Sequence, residues 1–117
     1  MDYDPPSTII ASSTVMKPNK HDRYVIELCR KIRDSYDRLI LNYKISKNKR
    51  MLGEVDVCAI KDDKMDLFEV KCSFRIHKAE KQLRRAHRLL QTHGELFFYC
   101  GSSGALQPIT CETKIRN

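Results

Sequence analysis

The stretch GEVDVCAIKDDKMDLFEVKCS, Gly53 to Ser73, constrains this chain more than any other. Two runs rich in Val, Ile, Leu, Phe and Cys, joined by the polar KDDK, read as the strands of an antiparallel hairpin. Yet each run carries charge: Glu54 and Asp56 in the first, Glu69 and Lys71 in the second. Charges inside buried strands are costly unless they are paired or hold a metal. Side chains alternate faces along a strand, so Glu54 and Asp56 are expected to share one face, and Glu69 and Lys71 one face of the neighbour. A register that joins those faces gathers three carboxylates and one ammonium on a small patch. Clustered carboxylates raise one another's pKa, and a hard divalent cation relieves that conflict.

Around this hairpin the pattern is helix, three strands, helix, strand. A first amphipathic helix of about four turns starts near Asn19, after Pro18, with Val25, Leu28, Cys29, Ile32 and Tyr36 on its apolar face. RLILNYKIS then reads as a strand ending in the polar run Lys47 to Arg50, ahead of the two hairpin strands. A second helix is expected from Ile76 to His93, with Gly94 at C′. Its apolar face is Ile76, Ala79, Leu83, Ala86 and Leu90; Lys78, Lys81, Arg84, Arg85 and Arg88 gather on the other side. ELFFYCG reads as a buried strand, and LQPITCETKI as an edge strand interrupted by Pro108. Residues 1–18, broken by Pro5-Pro6 and Pro18, read as an N-terminal arm, open between a disordered segment and a short strand at Ser7 to Ala11. Residues 19–117 form the single domain that this length allows. The fold class is α/β, with a mixed central sheet flanked by helices.

The chain has 117 residues with 22 Lys+Arg against 15 Asp+Glu, a net charge of +7. That balance points to a polyanionic partner, nucleic acid first, with DNA ahead of RNA. No apolar run approaches the ~20 residues of a membrane span, so a membrane partner is not expected. The first twenty residues do not read as a secretory signal, which leaves a cytoplasmic or nuclear setting as the expectation. Five cysteines, Cys29, Cys58, Cys72, Cys100 and Cys111, include no C-x-x-C pair. They read as small buried hydrophobes rather than as disulfides or a zinc site.

Asp56, a turn, and then Glu69-Val70-Lys71, set in this element order, resemble the PD-(D/E)XK nuclease superfamily. The D(x12)ExK spacing is short, but both halves sit on apolar strands. The resemblance spans about Asn19 to Cys100. Small archaeal Holliday junction resolvase-type endonucleases, with G-E-[IV]-D before E-V-K, are the most similar branch. A restriction-endonuclease-like core is implied. So are Mg²⁺ or Mn²⁺ held by Asp56, Glu69 and the carbonyl of Val70, catalytic support from Lys71, and hydrolysis of phosphodiester bonds in DNA, branched or junction DNA among them. Val55 stands where many members have proline. Gln82 resembles a glutamine that some branches place near the site. The first-helix ligand is open: Glu27 suits the junction resolvases, whereas helical projection sets His21 and Asp22 closer to the apolar stripe.

Other readings stay beside this one. Asp56, Glu69 and Lys71 would also suit a structural ion pair on an edge hairpin, Glu54 a solvated strand residue, and the basic stripe a plain wet face. As phosphate contacts, that stripe would position nucleic acid without reading sequence. A homodimer would hold two sites apart for symmetric cutting. An RNA endonuclease of the cap-snatching type, with His21 joining the metal, is the nearest rival; a non-catalytic nucleic-acid-binding or assembly module is the other.

Overall fold

A computed structural model describes residues 18–110 and the backbone of residues 8–11. Most of the expected arm, and the expected last strand beyond Thr110 together with Cys111, lie outside the described residues. The molecule is α/β: one mixed six-stranded sheet in the order β1-β2-β3-β4-β5-β6, with a helix on each face. β1 (Thr8–Ala11) runs parallel to β2 (Arg38–Lys47), so the strand alternative for Ser7 to Ala11 is the one seen. β2 pairs antiparallel with β3 (Arg50–Lys61), and β3 antiparallel with β4 (Lys64–Lys71). β5 (Leu96–Cys100) is parallel to β4, and β6 (Ala105–Ile109) antiparallel to β5 at the sheet's edge, with Pro108 inside it opposite Phe97.

Helix α1 (Lys20–Ile32) starts at a reciprocal cap. The Asn19 side chain accepts from the Asp22 N–H at 2.8 Å, and Asp22 Oδ2 accepts from the Asn19 N–H at 3.0 Å. This occupies Asp22, one of the candidates for the first-helix ligand. Val25, Leu28, Cys29 and Ile32 bury one stripe against Leu39, Val57, Phe68, Val70 and Tyr99. Tyr36 lies beyond the helix rather than on it, because the chain tightens into a 3₁₀ turn over Arg33–Ser35. From there its ring meets Phe68 edge-on, centroids 6.1 Å apart.

Helix α2 (Ile76–Leu90) is the crossover between the parallel strands β4 and β5. Ala79, Leu83 and Ala86 are buried against Val55, Leu67, Phe98 and Cys100. The helix ends earlier than expected: Gln91, at φ +52°, takes the left-handed capping position assigned to Gly94. Gly94 has another task. A Cβ there would lie 2.1 Å from the Met65 carbonyl oxygen, so glycine permits the close approach in which the Met65 N–H donates to the His93 carbonyl at 3.0 Å.

The strict alternation expected along β3 fails at one point. Val55 packs on the α2 side, whereas Val57, two residues on, packs on the α1 side. Opposite them Leu41 faces α1 and Tyr43 faces α2. The register passes from Leu41↔Val57 to Tyr43↔Val55 across Asn42, whose backbone sits at φ +53°. Asparagine tolerates that conformation better than most residues. Both strands therefore switch faces at Asn42 and Asp56.

Cys29, Cys58 and Cys100 are buried, Cys72 is half-buried, and all four are free thiols. Burial pushes the Cys29 thiol up to about 11 and Cys58 up to about 12, which suits inert core residues. Among the described residues, no helix is long and apolar enough to cross a membrane.

Candidate active site

The two charged halves of the hairpin meet where β3 and β4 stop pairing. Backbone pairing runs from Lys61↔Lys64 to Val57↔Phe68. At the next position the Asp56 carboxylate takes over, its Oδ2 accepting the Val70 N–H at 2.8 Å. This bond satisfies a strand N–H and fixes the carboxylate in the gap between the strands. Asp56 is 8% exposed and Glu69 5% exposed; they are the two buried charged residues of the described chain.

Glu69 and Lys71 share a face of β4 as expected, with Lys71 Nζ 3.5 Å from Glu69 Oε2. That pair does not neutralise the cluster. Burial, and then the negative charge of Asp56, push the Glu69 carboxyl up to about 8 despite the opposing pull of Lys71. The cluster therefore favours the protonated form of Glu69 far more than an isolated carboxylate would.

His21, in the first turn of α1, reaches the same point from the other face of the sheet. Its Nε2 lies 3.3 Å from Asp56 Oδ2 and 3.0 Å from the Val70 carbonyl oxygen. The Asp56 hydrogen bond raises the imidazole pKa against the opposing effect of burial. Two oxygens expected as metal ligands, one from Asp56 and one from Val70, thus converge on a single small centre beside Glu69. Both oxygens are acceptors, so these contacts require the proton on Nε2, which then bridges them as a donor.

Glu27 does not join this cluster. Its carboxylate accepts the Tyr99 hydroxyl at 2.8 Å, and the residue is exposed. Glu27 is six residues after His21 on α1, a distance that carries it more than one turn further along the axis. Glu54 is exposed on β3 and pairs loosely with Lys44 at 3.9 Å, since the face switch at Asp56 separates the two. Gln82 is half-buried on α2; its Oε1 is buried with no hydrogen-bond partner and borders a cavity of about 220 Å³ with Gly53, Glu54, Arg85 and Ala86.

The basic stripe divides. Lys78, Lys81 and Arg88 are exposed. Arg84 is held by Glu80, with Nη2 at 2.7 Å and Nε at 3.2 Å from Oε2, and Arg85 Nε donates to the Leu52 carbonyl at 2.9 Å.

Among the described residues no group of three His, Cys, Asp or Glu side chains is arranged to hold a metal ion. The converging donors are of mixed kind: two carboxylates, a backbone carbonyl and an imidazole. Oxygen donors with a buried charge conflict still match what Mg²⁺ or Mn²⁺ selects. No family model matches this chain, and no curated protein or solved structure matches it either.

Proposed function

We propose that the protein is a metal-dependent endonuclease of the PD-(D/E)XK type, with a restriction-endonuclease-like core, that hydrolyses phosphodiester bonds in DNA. The observation that carries this reading is the convergence of Asp56 Oδ2 and the Val70 carbonyl on one point beside a buried, conflicted Glu69. Asp56, Glu69 and the Val70 carbonyl would hold Mg²⁺ or Mn²⁺. When bound, such an ion polarises the phosphoryl oxygen and lowers the pKa of water.

The chain's own residues supply the rest. Lys71, positioned by Glu69, orients the attacking water or offsets charge developing on the phosphate. Asp56 is fixed by the Val70 N–H, so its geometry is set before substrate arrives. Lys78, Lys81 and Arg88 would contact backbone phosphates without reading bases. A two-fold dimer of such sites would suit symmetric cutting of junction DNA.

A second reading has an observation of its own. His21, rather than Glu27, contacts Asp56 and Val70, and a first-helix histidine favours an RNA endonuclease of the cap-snatching type with Mn²⁺.

Cleavage of four-way DNA junctions, linear duplex, single-stranded DNA and single-stranded RNA in Mg²⁺, Mn²⁺ or EDTA tests both. We expect metal-dependent cutting that falls at least ~100-fold in Glu69→Ala and Lys71→Ala, in line with the loss of a positioned charge-stabilising group. His21→Ala should be as damaging as those two, and Glu27→Gln close to silent. Binding without cutting under every metal would replace this reading with a non-catalytic module.

A further inference from the structure

Phe74 is a large apolar side chain left 57% exposed three residues after Lys71. Single exposed hydrophobes are ordinary, so exposure alone means little. Its position is more informative. The Phe74 ring rests at 80° to the ring of Phe98, centroids 5.3 Å apart, and Phe98 is the register partner of Glu69 on the adjacent strand. Phe98 is fully buried on the α2 side, the side that Glu69 and Lys71 share. Phe74 therefore stands one side chain away from the charged cluster, at the mouth of the same face.

The segment that carries it is anchored and basic. The Gly101 N–H donates to the Lys71 carbonyl at 2.8 Å, the Ser102 N–H to Cys72 at 2.9 Å, and the Arg75 N–H to Ser73 at 2.8 Å. Ser73 to Lys78 contains Arg75, His77 and Lys78 and no acidic residue, and the following Glu80 is occupied by Arg84. Phe74, Arg75, Ile76, His77 and Lys78 line a shallow cavity of about 500 Å³, within the range that small ligands occupy. A flat apolar ring flanked by cations on a fixed loop complements one chemistry well: a planar base attached to a phosphate. Stacking on such a ring needs an unstacked base, which a duplex interior does not offer.

We infer that Phe74, with Arg75 and Lys78 beside it, is a stacking platform for an unpaired base of the nucleic-acid strand that enters the Asp56–Glu69–Lys71 cluster. The inference rests on the nuclease reading and narrows its substrate to single-stranded or locally opened nucleic acid. Three residues of chain reach at most about 11 Å, the span of only a few nucleotides of an unpaired strand. The stacked base accordingly belongs to a nucleotide within a few steps of the phosphate held at the cluster.

The test is a binding measurement in EDTA, where nothing is cut, with wild type, Phe74→Ala and Phe74→Trp against a short single strand, as DNA and as RNA, and the matching blunt duplex. Phe74→Ala should weaken single-strand binding at least about fivefold, the low end of measured base–aromatic stacking, and leave duplex binding within about twofold. The chain contains no tryptophan. The Phe74→Trp ring is therefore the sole indole, and its emission should be quenched by the single strand and not by the duplex. Equal single-strand binding by wild type and Phe74→Ala, or an indole signal indifferent to a bound strand, overturns the platform. So does a failure of wild type to bind single strands. Phe74-dependent binding without cleavage in any metal would sink the nuclease reading and leave the platform standing. Cleavage with Phe74-independent binding would do the reverse.

Discussion

The hairpin β3–β4 holds carboxylates at both ends, and the two ends solve the burial of charge in opposite ways. At the turn end, Asp66 is half-buried and meets neutral donors: the Tyr36 hydroxyl on Oδ2 and the Glu95 N–H on Oδ1 at 2.7 Å. Tyr36 is pushed well above its usual range, by burial first and by Asp66 second, so it stays a donor at any ordinary pH. At the open end, Asp56 and Glu69 face each other, and one lysine and one histidine do not resolve their repulsion. A carboxylate met by neutral N–H and O–H groups keeps its charge satisfied by hydrogen bonds. One that faces a second buried carboxylate has its pKa raised, or takes the cation that the proposed nuclease reading assigns to it.

The largest effect that would break this comparison concerns stability at the turn end. Asp66→Ala removes the acceptor for both the half-buried Tyr36 hydroxyl and the exposed Glu95 N–H, and should cost ~1–3 kcal/mol, the net worth of two ordinary hydrogen bonds. Urea unfolding measures it. The same variant should retain the proposed nuclease activity at a temperature where it is folded; a loss of that activity there would mean that both ends serve the chemistry.

At the open end the sign reverses. The Glu69 carboxyl lies at about 8 in the folded protein, above its usual 4.5. Its contribution to stability is thus fully present below the unfolded value and is lost as pH rises from 4.5 through about 8. His21, also raised, acts in the same direction above its usual 6.5. Metal-free protein should therefore melt at lower temperature at pH 8.5 than at pH 5.5, and Glu69→Gln should flatten that dependence. Added Mn²⁺ should raise the melting temperature by a few degrees at pH 8.5, in proportion to its binding. The gain should be smaller at pH 5.5, where protons compete for the same oxygens. A Glu69→Gln protein that keeps the full pH slope would show that Asp56 and Glu69 are not in conflict.

Much of this is legible in the amino-acid sequence alone. The apolar runs gave the antiparallel β3–β4 pairing, the i, i+3, i+4, i+7 spacing of Val25, Leu28, Cys29 and Ile32 gave the buried stripe of α1, and Ala79, Leu83 and Ala86 gave that of α2. The placing of Glu69 beside Lys71 followed from alternation alone. What alternation concealed was its own failure at Asp56. The visible signal was Asn42, a polar residue prone to left-handed geometry inside RLILNYKIS, but its effect appears only when β2 and β3 are paired. The contact of His21, rather than Glu27, with Asp56 was only half visible, since projection set His21 nearer the apolar stripe without fixing which residue meets the strand. Helical projection gives an angle around α1, whereas reaching Asp56 depends on where along the axis α1 crosses the end of β4, which is a tertiary quantity. Gln91 displaced Gly94 as the helix cap because Gly94 was needed against Met65, a contact between segments far apart in sequence.

The smallest effect tests whether the face switch divides the hairpin's charges as sharply as the contacts suggest. Glu54, Asp56 and Glu69 would act as one cluster if alternation held through β3. With the switch in place, Glu54 belongs to the solvent and to Lys44, a pair at 3.9 Å with both side chains about half exposed. Exposed pairs of that kind contribute ~0–1 kcal/mol, so Glu54→Gln and Lys44→Ala should each shift stability by less than that. Neither should move the pH slope assigned to Glu69, because a charge screened by water does not act on a buried carboxyl across the sheet. A Glu54→Gln variant that lowers the Glu69 titration, or that weakens Mn²⁺ binding as much as Asp56→Asn, would place Glu54 back beside Asp56. The strand would then be regular through Asp56, and the site would hold a third carboxylate.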